Sequence, residues 1–230
     1  MSPAAAPLPE AEARLIDGPA SAPATLLLAH GAGAPMDSPF MAAIAAGLAL
    51  QGWRVVRFEF PYMARSRQTG RRGGPDRLPT LLQSFQAQIC RAADRGPVFI
   101  GGKSLGGRVA SLVLSELDSA AAPAPPGAER VRGGVCLGYP FHPPGKPDQL
   151  RTAHLASLRS PLLILQGERD SFGNRSEVEG YALSASVDVG WIPGGDHSFK
   201  PNRASGLDQA AAWALAIEAT DRFLRRVLAT

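Results

Sequence analysis

Apolar residues along this chain gather in short blocks, and longer stretches with helical spacing lie between them. Residues 25–29 read Thr-Leu-Leu-Leu-Ala and run straight into His-Gly-Ala-Gly, the pattern of a buried strand followed by a loop. Further strands are predicted over 54–60, 98–102, 133–138, 161–166 and 187–192. Helices are predicted over 38–51, 80–95, 105–117, 148–158, 176–183 and 206–228. The arginine-rich segment after the second strand reads as a loop, and the proline-rich stretch 121–127 as a surface connection.

Several strands are apolar at consecutive positions, as strands buried on both faces are. Repeated strand–helix alternation then predicts an α/β protein: a three-layer α/β/α sandwich around a doubly wound, mostly parallel sheet. Residues 1–23 read as a tail with a short edge strand near 13–16, and residues 24–230 as a single domain. In such a sheet the ligand site lies off the carboxyl ends of the strands.

Composition narrows the picture. The 230 residues are 45% apolar, enough for one packed core and too apolar for disorder. No apolar run reaches the roughly 20 residues of a membrane span. Met1 to Pro9 carries no Lys or Arg, so a secretory leader is not expected. Cys90 and Cys136 suggest neither a disulfide framework nor a metal site, and the expected location is cytoplasmic. The net charge of +4 is concentrated between Arg65 and Arg77, where Arg65, Arg67, Arg71, Arg72 and Arg77 face the single acid Asp76. A solvated, mobile loop is the plainest reading. Attraction of anionic substrates to a nearby site comes second. Nucleic-acid binding comes last, since only Tyr62 could stack.

Candidate chemistry starts at Gly102-Lys103-Ser104-Leu105-Gly106, a G-x-S-x-G pattern between an apolar strand and an apolar helix with no spare residues. A serine on so sharp a turn has strained dihedrals, and the two arms come so close that Gly102 and Gly106 must lack side chains. The helix N-terminus beside the hydroxyl favours negative charge. A glycine-rich turn used only for packing is the rival reading. A phosphate-binding loop would need glycine at position 97, where Pro97 stands.

His197 lies in a glycine-rich loop, Gly194-Gly195-Asp196-His197, after the last strand, where a mobile base could reach the serine. Asp170 follows the fifth strand, where a carboxylate can fix the imidazole tautomer, and is preferred to Glu168 and Asp196. The order Ser104, Asp170, His197 is that of a known class of nucleophilic enzymes. Backbone amides of Ala32 and Leu105 are assigned to an oxyanion, and His30 to structural hydrogen bonding.

These segments resemble the α/β-hydrolase superfamily over roughly residues 24–228. Within it, the chain is similar to a small group related to testis-expressed protein thirty and the KANSL-three chromatin-complex subunit. The likeness is carried by residues 30–34, 101–108, 138–146, 167–170 and 194–199. Leu105 stands where that group often has Met. The group is also similar to dienelactone hydrolases, which carry Cys where this chain has Ser104. The resemblance implies a serine hydrolase acting on a small acyl substrate without metal or organic cofactor. It also keeps a non-catalytic, protein-interaction reading in play. The length leaves little room for a separate cap domain, so an open pocket is expected. The loop after the fourth strand is expected to wall it, with Gly31, Tyr139, Phe141 and His142 as substrate contacts. Acyl specificity, natural partner and oligomeric state are not set by these residues.

Overall fold

The computed structural model describes residues 13–119 and 124–230. The opening stretch read for a leader, and residues 121–123 of the proline-rich connection, lie outside the described residues. Seven strands form one sheet: β1 (Arg14–Asp17), β2 (Thr25–Ala29), β3 (Arg54–Phe58), β4 (Val98–Lys103), β5 (Val131–Leu137), β6 (Leu162–Gly167) and β7 (Val187–Ile192). Their order is β1-β3-β2-β4-β5-β6-β7, and only the edge strand β1 runs antiparallel to its neighbour. Six helices accompany them: α1 (Pro39–Leu50), α2 (Pro61–Thr69), α3 (Leu78–Ala92), α4 (Leu105–Ser119), α5 (Arg175–Val178) and α6 (Gln209–Leu228).

The consecutive apolar residues of β2 are explained by two cores. Leu26 and Leu28 face Met41, Ile44 and Leu48 of α1 and Ala216 and Leu224 of α6. Leu27 and Ala29 face Phe85 and Ile89 of α3 and Val109 and Val113 of α4. Side chains alternate across a strand, so only a run apolar at every position can serve both layers. The fold is the expected three-layer, doubly wound sandwich.

Three predicted elements differ. The arginine-rich segment is partly helix: Pro61 supplies the first turn of α2 and Gly70, at φ +68°, ends it. Tyr62 is its one buried residue, so the helix shows no apolar stripe in sequence. The helix predicted over 148–158 is a string of turns with one short 3-10 segment, Leu155–Ser157. Its backbone is committed elsewhere: the Arg151 amide donates to the Phe141 carbonyl at 2.7 Å. The helix predicted over 176–183 is the single turn α5, started by an Asn174–Glu177 capping box.

Chain order reverses between β2 and β4, the pair from which the sheet winds both ways. The crevice off their carboxyl ends is where such sheets bind ligands. Ser104 and the loop 30–34 sit there.

Candidate active site

Ser104 joins β4 to α4 with φ +50°, a region that residues other than glycine rarely occupy. Its amide donates to the Leu137 carbonyl at 3.0 Å, which fixes the turn on β5. The glycines beside it are required by contact. A β-carbon at Gly102 or at Gly106 would stand 2.4 Å from the Ala29 carbonyl oxygen. At Gly107 it would stand 2.8 Å from the Gly102 carbonyl oxygen. The strain at Ser104 is thus held by close packing of three backbone segments.

His197 reaches this turn. Its Nε2 lies 2.8 Å from Ser104 Oγ and its Nδ1 2.7 Å from Asp170 Oδ2. An ionised carboxylate only accepts, so Nδ1 carries the proton and Nε2 receives the serine hydroxyl. Asp170 is fully buried, and its oxygens also accept from the Phe172 amide at 2.8 Å and from Gln166 Nε2 at 2.9 Å. Neither rival acid points at the imidazole. Glu168 accepts from the Gly194 amide and from Arg175, and Asp196 accepts from the amides of Ser198 and Lys200.

Burial holds the His197 pKa below its ordinary value, against the hydrogen bond to Asp170, which raises it. The Lys103 charge pushes it down further. Phe172 covers one ring face at 4.2 Å between centroids. The imidazole is therefore neutral near pH 7, as a proton acceptor must be.

The loop carrying His197 is tied rather than free. Asn202 and Asp196 donate their amides to the carbonyls of Gly194 and Lys200, each at 3.0 Å. Phe199, at φ +61°, is buried against Phe40. Lys103 Nζ donates to the His197 carbonyl at 2.6 Å, linking this loop to the residue before Ser104. Burial pushes the Lys103 ammonium down to about 8, opposed by Asp170 and Asp196.

The loop 30–34 is pinned from below. His30 donates through Nδ1 to the Gly31 carbonyl at 2.7 Å and accepts the Phe60 amide at Nε2. That is a structural role, with burial holding its pKa down. Tyr62 donates its hydroxyl toward the carbonyls of Ala32, at 3.1 Å, and Gly31, at 3.3 Å. A β-carbon at Gly31 would lie 3.8 Å from that of Ser104, so the loop passes directly beside the hydroxyl. Leu105 is the first residue of α4, where the helix offers its amide no acceptor.

The expected substrate contacts need correction. Tyr139 and Phe141 are completely buried and His142 is nearly so, leaving them little surface to offer a ligand. Phe141 packs on Tyr139 and Tyr181, and His142 Nε2 faces Glu177. An apolar segment after a central strand is pulled inward whenever a cavity is there to be filled. The arginine-rich segment is also more paired than its sequence suggests. Arg67 bridges buried Glu59 and Asp37, and Arg65 binds Asp76.

Sequence reasoning missed Gln166, Tyr62 and Lys103 as supports. Gln166 closes an otherwise apolar strand yet is fully buried, with its Oε1 accepting the Tyr139 amide at 2.7 Å. A polar residue ending so apolar a run was the available signal. Among the described residues, no group of three or more His, Cys, Asp or Glu side chains could hold a metal ion. No described helix is long and apolar enough to cross a membrane.

Comparison with known proteins agrees with this fold. Over 130 residues the chain is 29% identical to ABHD14B of Pongo abelii, named as a candidate protein-lysine deacylase. That match covers 56% of this chain and spans only about half, 53%, of the relative. A serine hydrolase homologue from Coxiella burnetii superposes with TM-score 0.65 at 18% identity, covering 91% of this chain and 89% of that one. Est1E from Butyrivibrio proteoclasticus, solved with ferulic acid bound, also gives 0.65 at 15% identity, covering 95% and 96%. The alpha/beta hydrolase domain profile matches residues 22–225, nearly the whole chain, and the protein belongs to the α/β-hydrolase family.

Proposed function

We propose that this protein is a serine hydrolase that cleaves an ester or related acyl bond through an acyl-enzyme. The observation that carries the reading is the unbroken hydrogen-bond chain from Ser104 Oγ through His197 to Asp170, at 2.8 and 2.7 Å. Ser104 attacks the carbonyl carbon as its proton passes to His197 Nε2. The amides of Ala32 and Leu105 receive the oxyanion, and loss of one such donor slows comparable enzymes about 100- to 1000-fold. Asp170 stabilises the imidazolium. His197 then protonates the leaving group, activates water, and returns the proton to Ser104 as the acyl bond is cleaved.

Within the superfamily, the five segments between residues 30 and 199 support placement in the group of testis-expressed protein thirty and the KANSL-three subunit. ABHD14B's name extends the candidate carbonyls to acyl-lysine. Free Cys90 and Cys136 suit a reducing, cytoplasmic setting.

A fluorophosphonate probe tests the proposal. Labelling of folded protein should be stoichiometric at Ser104 and vanish in Ser104→Ala. Folded wild-type protein that takes no label would favour a non-catalytic interaction domain. A screen of nitrophenyl esters of graded chain length, with Ser104→Ala as blank, then ranks the acyl groups.

A further inference from the structure

A second cluster lies one turn of α4 beyond Ser104. The Arg108 amide donates to the Ser104 carbonyl at 3.0 Å, which sets Arg108 about 6 Å farther along the helix axis. Ser111 Oγ donates to the Arg108 carbonyl at 2.8 Å and lies 2.9 Å from His154 Nε2. A hydroxyl has one hydrogen, so His154 Nε2 supplies the proton of that second bond and Nδ1 keeps its lone pair. Arg151 is fixed nearby by its backbone. Its carbonyl accepts the Tyr139 hydroxyl at 2.9 Å and its amide binds the Phe141 carbonyl.

Arg108, Arg151 and His154 are each half-buried, and the Arg108 charge acts on both of the others, which places the three near one another beside the elbow. Arg108 Nε is buried without a hydrogen-bond partner. Burial lowers the pKa of both Arg151 and His154, and the Arg108 charge lowers them further, bringing His154 to about 4. Tyr139 is the one group that works against this at Arg151, and no carboxylate does so at either residue. By contrast, buried Arg57 binds Asp17, and Arg67 binds Glu59 and Asp37. Positive groups gathered without a counter-charge repel one another, and an anion relieves both the repulsion and the unpaired donor. A planar carboxylate suits the guanidinium fork.

We propose that Arg108 and Arg151, beside a neutral His154, form a subsite for the carboxylate end of an acyl chain whose ester carbonyl lies at Ser104. The assignment rests on the acyl-hydrolase reading and names its substrate class: acyl groups that end in a negative charge. Arg71 and Arg72 are poorer candidates, because both are exposed and their charges are screened by salt.

Two measurements test the subsite. In the first, kcat/KM is compared for two 4-nitrophenyl esters of equal acyl length, one ending in a carboxylate and one in a methyl group. Arg151→Met should lower the value for the carboxylate ester at least about tenfold more than for the neutral one. Equal losses on the two esters overturn the proposal. In the second, the His154 ring resonance of wild-type protein, assigned with His154→Gln, is followed during titration with succinate and, separately, with inorganic phosphate. Succinate should raise the pH at which His154 titrates, against the Arg108, Arg151 and Tyr139 groups that surround it. A shift with phosphate and none with succinate overturns the carboxylate assignment. If neither ester is cleaved and Ser104 takes no fluorophosphonate label, the hydrolase reading falls and the titration alone decides: a succinate shift keeps the anion site, and no shift removes it.

Discussion

Ser104 and His197 face each other across 2.8 Å, but the protein holds them by different means. The serine is held by backbone. Gly102, Gly106 and Ala29 pack so closely that no side chain fits, and the positive φ of Ser104 follows. The histidine is held by side chains from distant elements. Asp170 orients the ring, Phe172 covers it, and Lys103, 94 residues away, grips its carbonyl. The first arrangement is strict about residue type within a few positions. The second is strict about the meeting of parts that share no local sequence. A nucleophile that must sit at one point is suited to the first. A base that takes a proton from one partner and passes it to another is suited to the second.

The largest effect should come from breaking the backbone arrangement. Gly106→Ala puts a β-carbon against the Ala29 backbone, where no flexible side chain can yield. We expect a loss of about 3 kcal/mol or more in a urea titration, and a soluble variant of wild-type stability would refute the contact argument. Next comes Asp170→Asn. The amide can present the wrong group to Nδ1, so kcat should fall about 10⁴-fold while the melting temperature changes far less. A drop under tenfold would remove Asp170 from its orienting role. In the wild type, His197 is inactive as a base once protonated, and its pKa is lowered by burial. The acid limb of kcat/KM should therefore fall at a pH below 6.5.

Lys103→Met sharpens the comparison, because it cuts the hydrogen bond that ties the His197 loop to the residue before Ser104. We expect kcat/KM to fall about tenfold, the scale of one charged hydrogen bond. The stability profile gives a separate check. With its folded pKa near 8 against an ordinary 10.5, this lysine binds more protons unfolded than folded between those values. Its contribution to stability must then rise with pH across that window. Urea midpoints at pH 7.5 and 9.5 should show this rise in the wild type and lose it in Lys103→Met. The smallest effect is expected from Phe172→Ala. Water admitted to one face of His197 should raise its pKa, moving the acid limb up by less than about one unit. An unmoved limb would mean that the stacked ring contributes little to burial.

Some of this was written locally. The strands 25–29 and 187–192 appear at their predicted bounds, because an apolar run between turn residues leaves few alternatives. Ser104 was legible for the same reason: a sharp turn between strand and helix needs small neighbours, and these are visible as glycines. Helix α2 was not legible, since its one buried residue gives no periodicity to read. Residues 148–158 have helical spacing, but the Phe141 carbonyl takes the Arg151 amide. Tyr139 and Phe141 looked like pocket walls because burial after a strand end depends on what space the other elements leave.

The sequence alone determined the layered sheet, the elbow and the chain order of serine, aspartate and histidine, since each follows from residue type and spacing within a short window. Only the tertiary structure decided which acid meets His197, how Lys103, Tyr62 and Gln166 brace the two loops, and that Arg108, Arg151 and His154 gather without a counter-charge. Those are contacts between residues remote along the chain, and their energies depend on a burial and a geometry that exist once the sheet has assembled.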